Sequence, residues 1–221
     1  MEGLQPLALS HDGDALEGYI ARPEGKGPFP TVIIYHSGLG LKPFECDKAK
    51  ALAKLGYLAV VADMFGLDAR SPQPGDLSAY QRITSREGFL RERVVTWFDT
   101  IAALPEVDAT RIGYWGLSMG TMFGMPFVAE EPLIRAAVLG LAALTGPSVE
   151  RSGIRPTFEA AAPRITCPVM WVVQWDDERF DRDGAIALFD RLGATDKRLI
   201  AFPGLHAEAP DESTALTREF L

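Results

Sequence analysis

The 221-residue sequence is poor in cysteine, histidine and net basic charge and has no long apolar run, and each shortage excludes something. Its two cysteines, Cys46 and Cys167, have neither metal-ligand spacing nor a second pair nearby, so both are expected to be reduced and structural. No apolar run approaches the roughly 20 residues that span a bilayer. The opening M-E-G-L-Q-P-L-A-L-S has no basic n-region followed by an apolar h-region, so a cytoplasmic location with no membrane partner is expected. Lysine and arginine total 22 against 30 acidic residues, a net charge of −8. The basic residues are scattered, which excludes nucleic acid and anionic membrane as partners, because both need clustered cations to neutralise phosphate. The acidic stretch from Asp176 to Asp183 lacks the spacing and glycine of a calcium loop and has no companion histidine, so no metal is expected.

What is present is an ordinary globular composition, 47% hydrophobic and 24% charged, with no linker-like division, so residues 1–221 are expected to form one domain. Leu4 to Ser10 and Ala15 to Ala21 alternate as two strands around Asp12-Gly13, which supplies the positive-φ positions of a tight hairpin. Thr31 to Tyr35, Tyr57 to Ala62, Ile134 to Leu141, Pro168 to Gln174 and Lys197 to Phe202 read as further strands, several of them continuous apolar runs buried on both faces. Helical spacing covers Phe44 to Leu55 with Gly56 at its C-terminal end, about Thr84 to Leu104, Thr121 to Glu130, Asp183 to Leu192 and Asp211 to Leu221. Asp63 to Ser78 reads as a long loop, Asp108 to Thr110 as a turn, and Thr145 to Pro163 as an irregular excursion with weak helical character. Strands alternating with helices predict a mostly parallel, doubly wound α/β sheet with an antiparallel N-terminal hairpin and no large lid. Its ligand site is expected at the carboxyl ends of the strands.

The stretch Arg111 to Gly120, R-I-G-Y-W-G-L-S-M-G, runs an apolar strand into the pentapeptide Gly116-Leu117-Ser118-Met119-Gly120 and on into a helix. A strand, sharp turn and helix of this kind hold the serine hydroxyl clear of the sheet, and the flanking glycines remove the Cβ atoms that would collide there. Ser118 then needs a base, because a hydroxyl at its ordinary pKa is a poor nucleophile. Of three histidines, His11 sits in the hairpin turn and His36 precedes the serine in the chain, whereas His206 follows the last strand and is the candidate base. The orienting carboxylate is sought in Asp176, Asp177 and Glu178, directly after the strand between serine and histidine. Backbone donors for an oxyanion are expected from Met119, next to the serine, and from Gly38 in the loop His36-Ser37-Gly38-Leu39-Gly40. Phe65, Leu67, Trp175 and Phe180 are candidates to line an apolar acyl or alcohol pocket, with ordinary packing the alternative for each.

These features together resemble the α/β-hydrolase superfamily, and within it the dienelactone hydrolase family. The resemblance runs from about Thr31 to His206 and is carried by L-A-K-L-G-Y-L-A-V-V-A-D-M-F-G (Leu52 to Gly66), V-D-A-T-R-I-G-Y-W-G-L-S-M-G (Val107 to Gly120), R-I-T-C-P-V-M (Arg164 to Met170) and F-P-G-L-H (Phe202 to His206). The family usually has a glycine three residues before its catalytic acid. Here Gln174 stands there, which points to Asp177 rather than Asp176. Dienelactone hydrolases proper carry a cysteine nucleophile where this chain has Ser118, and in that respect it is similar to the carboxylesterase-type members. The resemblance implies hydrolysis of a small carboxylic ester or lactone through an acyl-enzyme on Ser118, His206 and Asp177, without a cofactor, in a monomer or homodimer. The same three residues would serve a thioesterase, an acyltransferase or a peptidase, and a binding module that has lost catalysis is a reading of another class.

Overall fold

The computed structural model describes residues 3–69, 76, 78–86, 88–208 and 219–221, and they fall into two compact units, Met1–Trp115 and Gly116–Leu221. In the first unit the chain reverses on Asp12 and Gly13, at φ 53° and 82°, between strands β1 (Gln5–His11) and β2 (Asp14–Ala21). These are the left-handed positions that a two-residue hairpin turn requires. β2 then runs antiparallel to β4 (Leu58–Ala62), and β4 runs parallel to β3 (Phe29–Tyr35), with Ile33 opposite Val60. The strand order in this unit is β1-β2-β4-β3-β5, where β5 spans Val107–Gly116 and ends at the unit boundary. Every residue of β4, and Thr31 to Tyr35 of β3, is buried, as expected for strands covered on both faces.

Helix α1 (Pro43–Ala53) lies against β4 and β2. Its first turn is closed by Glu45, whose carboxylate accepts the Lys42 N–H at 3.1 Å. Its end is closed by Gly56, at φ 95°, where the Gly56 and Tyr57 N–H groups donate to the Ala53 and Leu52 carbonyls. The helix expected over about Thr84 to Leu104 is α3 (Phe89–Ala102), which starts five residues later, and a separate helix not expected from the sequence, α2 (Ser78–Thr84), precedes it. Gly88 adopts φ 80° at the head of α3, so an apolar spacing that reads as continuous is interrupted by backbone geometry. The turn expected at Asp108 to Thr110 lies inside β5.

In the second unit β6 (Ile134–Gly140), β7 (Val169–Gln174) and β8 (Lys197–Phe202) are parallel and adjacent in that order. Helix α4 (Met119–Val128) starts directly after Ser118. The expected irregular excursion contains two short helices, α5 (Pro147–Ser152) and α6 (Arg155–Ala161), each with proline in its first turn. Val149 and Phe158 are buried, so tertiary packing, rather than a long periodic pattern, supports these helices. Helix α7 (Arg182–Asp190) is capped from β8, where the Lys197 ammonium donates to the carbonyls of Phe189, Asp190 and Leu192 at 3.0–3.1 Å. The arrangement is the mostly parallel α/β class with an antiparallel N-terminal hairpin. Most of the expected helix Asp211 to Leu221, and part of the loop Asp63 to Ser78, lie outside the described residues.

Candidate active site

Ser118 is held at φ 56° and ψ −117°, a conformation that residues with a Cβ rarely adopt and that persists only where surrounding structure enforces it. Part of that enforcement comes from β6, because the Ser118 N–H donates to the Gly140 carbonyl at 3.0 Å. Thr121, fully buried one turn into α4, adds a second tie: its hydroxyl accepts the Gly140 N–H at 2.9 Å and lies 2.9 and 2.7 Å from the Gly116 and Gly140 carbonyls. Gly140 itself, at φ 141°, leaves no room for a Cβ, which would run into the Val172 backbone. The sequence reading missed Thr121, and only its place three residues after the serine marks it.

The Ser118 Oγ lies 2.8 Å from His206 Nε2, and His206 Nδ1 lies 2.7 Å from Asp177 Oδ2. A carboxylate can only accept, so Nδ1 carries the imidazole proton and Nε2 is left to accept from the serine hydroxyl. The second Asp177 oxygen is used by its own loop, accepting the Arg179 and Phe180 N–H groups at 2.8 and 3.1 Å. The His206 and Asp177 side chains are only 8% and 3% exposed, and the buried Phe180 ring lies 5.5 Å from the imidazole. In so dry a setting each of these hydrogen bonds is stronger than it would be in water. Trp175, by contrast, is 45% exposed, with the Arg182 guanidinium 4.4 Å over its ring.

Gln174, where the glycine of the resemblance is missing, is buried and donates through Nε2 to the Leu205 carbonyl at 3.2 Å. That contact ties the end of β7 to the loop carrying His206. Met119 heads α4, and its N–H has no acceptor among the described residues.

The remaining sequence-predicted residues lie in the first unit. Gly38 sits in the loop from β3 to α1, and its N–H has no acceptor among the described residues. The loop around it is pinned, with the Gly40 N–H donating to the Ser37 carbonyl at 3.1 Å and the Ser37 N–H to the buried Glu45 carboxylate at 3.4 Å. Burial pushes the Glu45 carboxyl above its usual range, against the hydrogen bonds it accepts. His36 is fully buried and has both ring nitrogens engaged: Nδ1 lies 2.7 Å from the Ser37 carbonyl, and Nε2 accepts the Met64 N–H at 3.0 Å. His11 accepts from Arg93 at 3.4 Å. Phe65 is buried with its ring edge-on to His36, whereas Leu67, in a 3₁₀ turn, is exposed.

A serine on a strained strand-to-helix turn and an aspartate-held histidine on later strand-end loops, in a mostly parallel sheet, define an α/β-hydrolase. The dienelactone hydrolase family model matches residues 16–213, and the chain belongs to that family. Among solved structures, a cold-adapted esterase from an Arctic intertidal metagenomic library superposes over 100% of this chain and 96% of its own, with TM-score 0.81 and 28% identity. Among sequence relatives, a Methylorubrum extorquens protein provisionally named carboxymethylenebutenolidase is 27% identical over 80% of this chain, which spans only 60% of that protein's length. A Yersinia pestis protein with the same provisional name is 28% identical over 88% of this chain and 74% of its own.

Proposed function

We propose that this chain is a serine-dependent carboxylic ester hydrolase that cleaves small esters or lactones through an acyl-enzyme. The observation that carries the reading is the continuous hydrogen-bonded line from the Ser118 hydroxyl through His206 to Asp177, at 2.8 and 2.7 Å. His206 Nε2 takes the hydroxyl proton as Ser118 Oγ attacks the carbonyl carbon. The resulting imidazolium returns that proton to the leaving alcohol, and the histidine then activates water against the acyl-enzyme. Asp177 keeps the imidazole in the productive tautomer and stabilises its charged form. Negative charge on the former carbonyl oxygen is assigned to backbone donors, the Met119 amide and, from the order of strand-end loops in the sequence, the Gly38 amide; neither has an acceptor among the described residues. Family membership and the esterase relative support the substrate class, and the low exposure of His206 and Asp177 suits chemistry that has to exclude bulk water.

The test is turnover of a short-chain p-nitrophenyl ester panel together with covalent labelling by a fluorophosphonate. Wild-type protein should be labelled at Ser118, and Ser118→Ala should lose labelling and on the order of 10⁴-fold or more in kcat. A Ser118→Ala protein with wild-type turnover would remove the nucleophile assignment.

A further inference from the structure

The geometry points to Glu178 as the positioning residue of the histidine base, holding His206 by its backbone through the hydrogen bond from the His206 N–H to the Glu178 carboxylate at 2.9 Å. This rests on the esterase reading of Ser118, His206 and Asp177. Three consecutive carboxylates leave the end of β7, and each has a separate duty toward the loop after β8. Asp176 accepts the Gly204 N–H at 3.3 Å, Asp177 takes the imidazole, and Glu178 takes the amide of the same histidine. His206 is therefore fixed at its backbone nitrogen, at Nδ1 and at Nε2 by three different residues. A ring held only at its two nitrogens could still swing with its loop. The third point acts on the backbone of His206 itself, next to the bonds by which Gln174, Asp176 and Glu208 hold Leu205 and Gly204.

Glu178 suits this duty chemically. The His206 N–H, first, and the Arg179 guanidinium beside Glu178 hold its carboxyl below the usual range, so it is ionised at neutral pH and the amide bond is charge-assisted. The side chain is half exposed, so it contributes little to the core, and its removal should cost geometry at the base more than folding. Proton transfer in the transition state is more sensitive to imidazole placement than ground-state ester binding is. Misplacement therefore appears in kcat rather than KM.

The test uses the full chain with three substitutions. Glu178→Gln keeps an acceptor oxygen at the same reach and loses the charge. Glu178→Asp keeps the charge and withdraws the acceptor by one methylene, and Glu178→Ala loses both. The expected result is a kcat lowered on the order of tenfold in Glu178→Ala and Glu178→Asp at nearly unchanged KM, with Glu178→Gln within about twofold of wild type. The downfield proton resonance of His206 Nδ1 should broaden in the same two variants and stay sharp in Glu178→Gln, a readout independent of turnover. Wild-type kcat with a sharp resonance in Glu178→Asp, or a Glu178→Gln as impaired as Glu178→Ala, would overturn the assignment. Failure of the underlying reading looks different: wild-type protein itself would then neither turn over esters nor label with a fluorophosphonate.

Discussion

Two strand-end segments, one in each unit, are gripped from outside by different chemistry. In the first unit the carbonyls of the turn Asp63 to Gly66 after β4 are held by cationic and indole donors, while its amides are taken by His36 and by the Asp63 carboxylate itself. Arg93 donates to the Met64 carbonyl at 2.9 Å, Trp97 to the Asp63 carbonyl at 2.8 Å, and Arg82 to the Phe65 carbonyl. Both arginines also pair with Asp14, and Arg93 and Trp97 are fully buried. In the second unit the loop Gly204 to His206 is gripped mainly through its amides by carboxylates, Asp176 on Gly204, Glu208 on Leu205 and Glu178 on His206. Asp176, Glu178 and Glu208 are exposed. The buried members of this clamp, Arg93 and Trp97, cannot be lost without stranding their partners in low dielectric, so breaking it there should cost folding. A half-exposed carboxylate leaves its amide to water, so breaking it should cost geometry.

The sharpest separation comes from neighbouring residues on the same loop. Asp177→Asn should lower kcat on the order of 10³- to 10⁴-fold, because an amide in place of the carboxylate favours the wrong imidazole tautomer. Asp176→Asn keeps an acceptor for Gly204 and should change kcat by less than about threefold. Reversed magnitudes in steady-state kinetics would move the acid to Asp176. The next largest effect belongs to the other clamp. Arg93→Met should cost about 3 kcal/mol in urea unfolding, since the Met64 carbonyl and Asp14 lose a buried charged donor. The kcat of the remaining folded protein should hardly change. A loss under about 1 kcal/mol would mean that Arg82 and Trp97 suffice and that the contrast between the clamps is not one of burial.

The legibility of these features in the sequence follows the same division. β3, β4 and β7 were readable because a strand buried on both faces must be apolar throughout, and Asp12-Gly13 because few residues accept positive φ. The break at Gly88 was not, since apolar spacing on both sides continues through it, nor were α5 and α6, whose prolines and glycines read as loop until Val149 and Phe158 are seen to be buried. Within the candidate site the side chains that meet each other carry residue-type signals, which single out Ser118 and His206 and narrow the acid to Asp176, Asp177 and Glu178, with the family resemblance choosing Asp177. Those that meet backbone do not: Thr121 on Gly140 and Glu178 on His206 have partners that every residue except proline could supply. The bonds that aim the site are thus the ones a sequence hides best.

The smallest effect compares the clamps by pH. Asp14 is partly desolvated, which raises its pKa, but the bonds from Arg93 and Arg82 outweigh this and hold its carboxyl below the ordinary 3.8. Glu178 is held below its ordinary 4.5 by the His206 N–H first. A carboxyl whose folded pKa lies below its unfolded one binds fewer protons in the folded state. Its stabilisation is therefore present above the unfolded value and fades as pH falls through the folded one. Glu178 thus predicts an unfolding free energy that declines as pH falls below about 4.5, and Asp14 a further decline below about 3.8. Glu178→Gln should make that decline slightly shallower while lowering stability at pH 7 by no more than about 0.5–1 kcal/mol, because the bond is half exposed. Asp14→Asn should flatten its own share of the decline and also lower stability at neutral pH by more than Glu178→Gln does, since it leaves the buried Arg93 guanidinium without its carboxylate. Urea titrations at pH 3.5, 4.5 and 7 with these two variants resolve the difference. Equal losses at pH 7 would show that the exposed clamp supports the fold as much as the buried one, and would dissolve the contrast between stability and geometry.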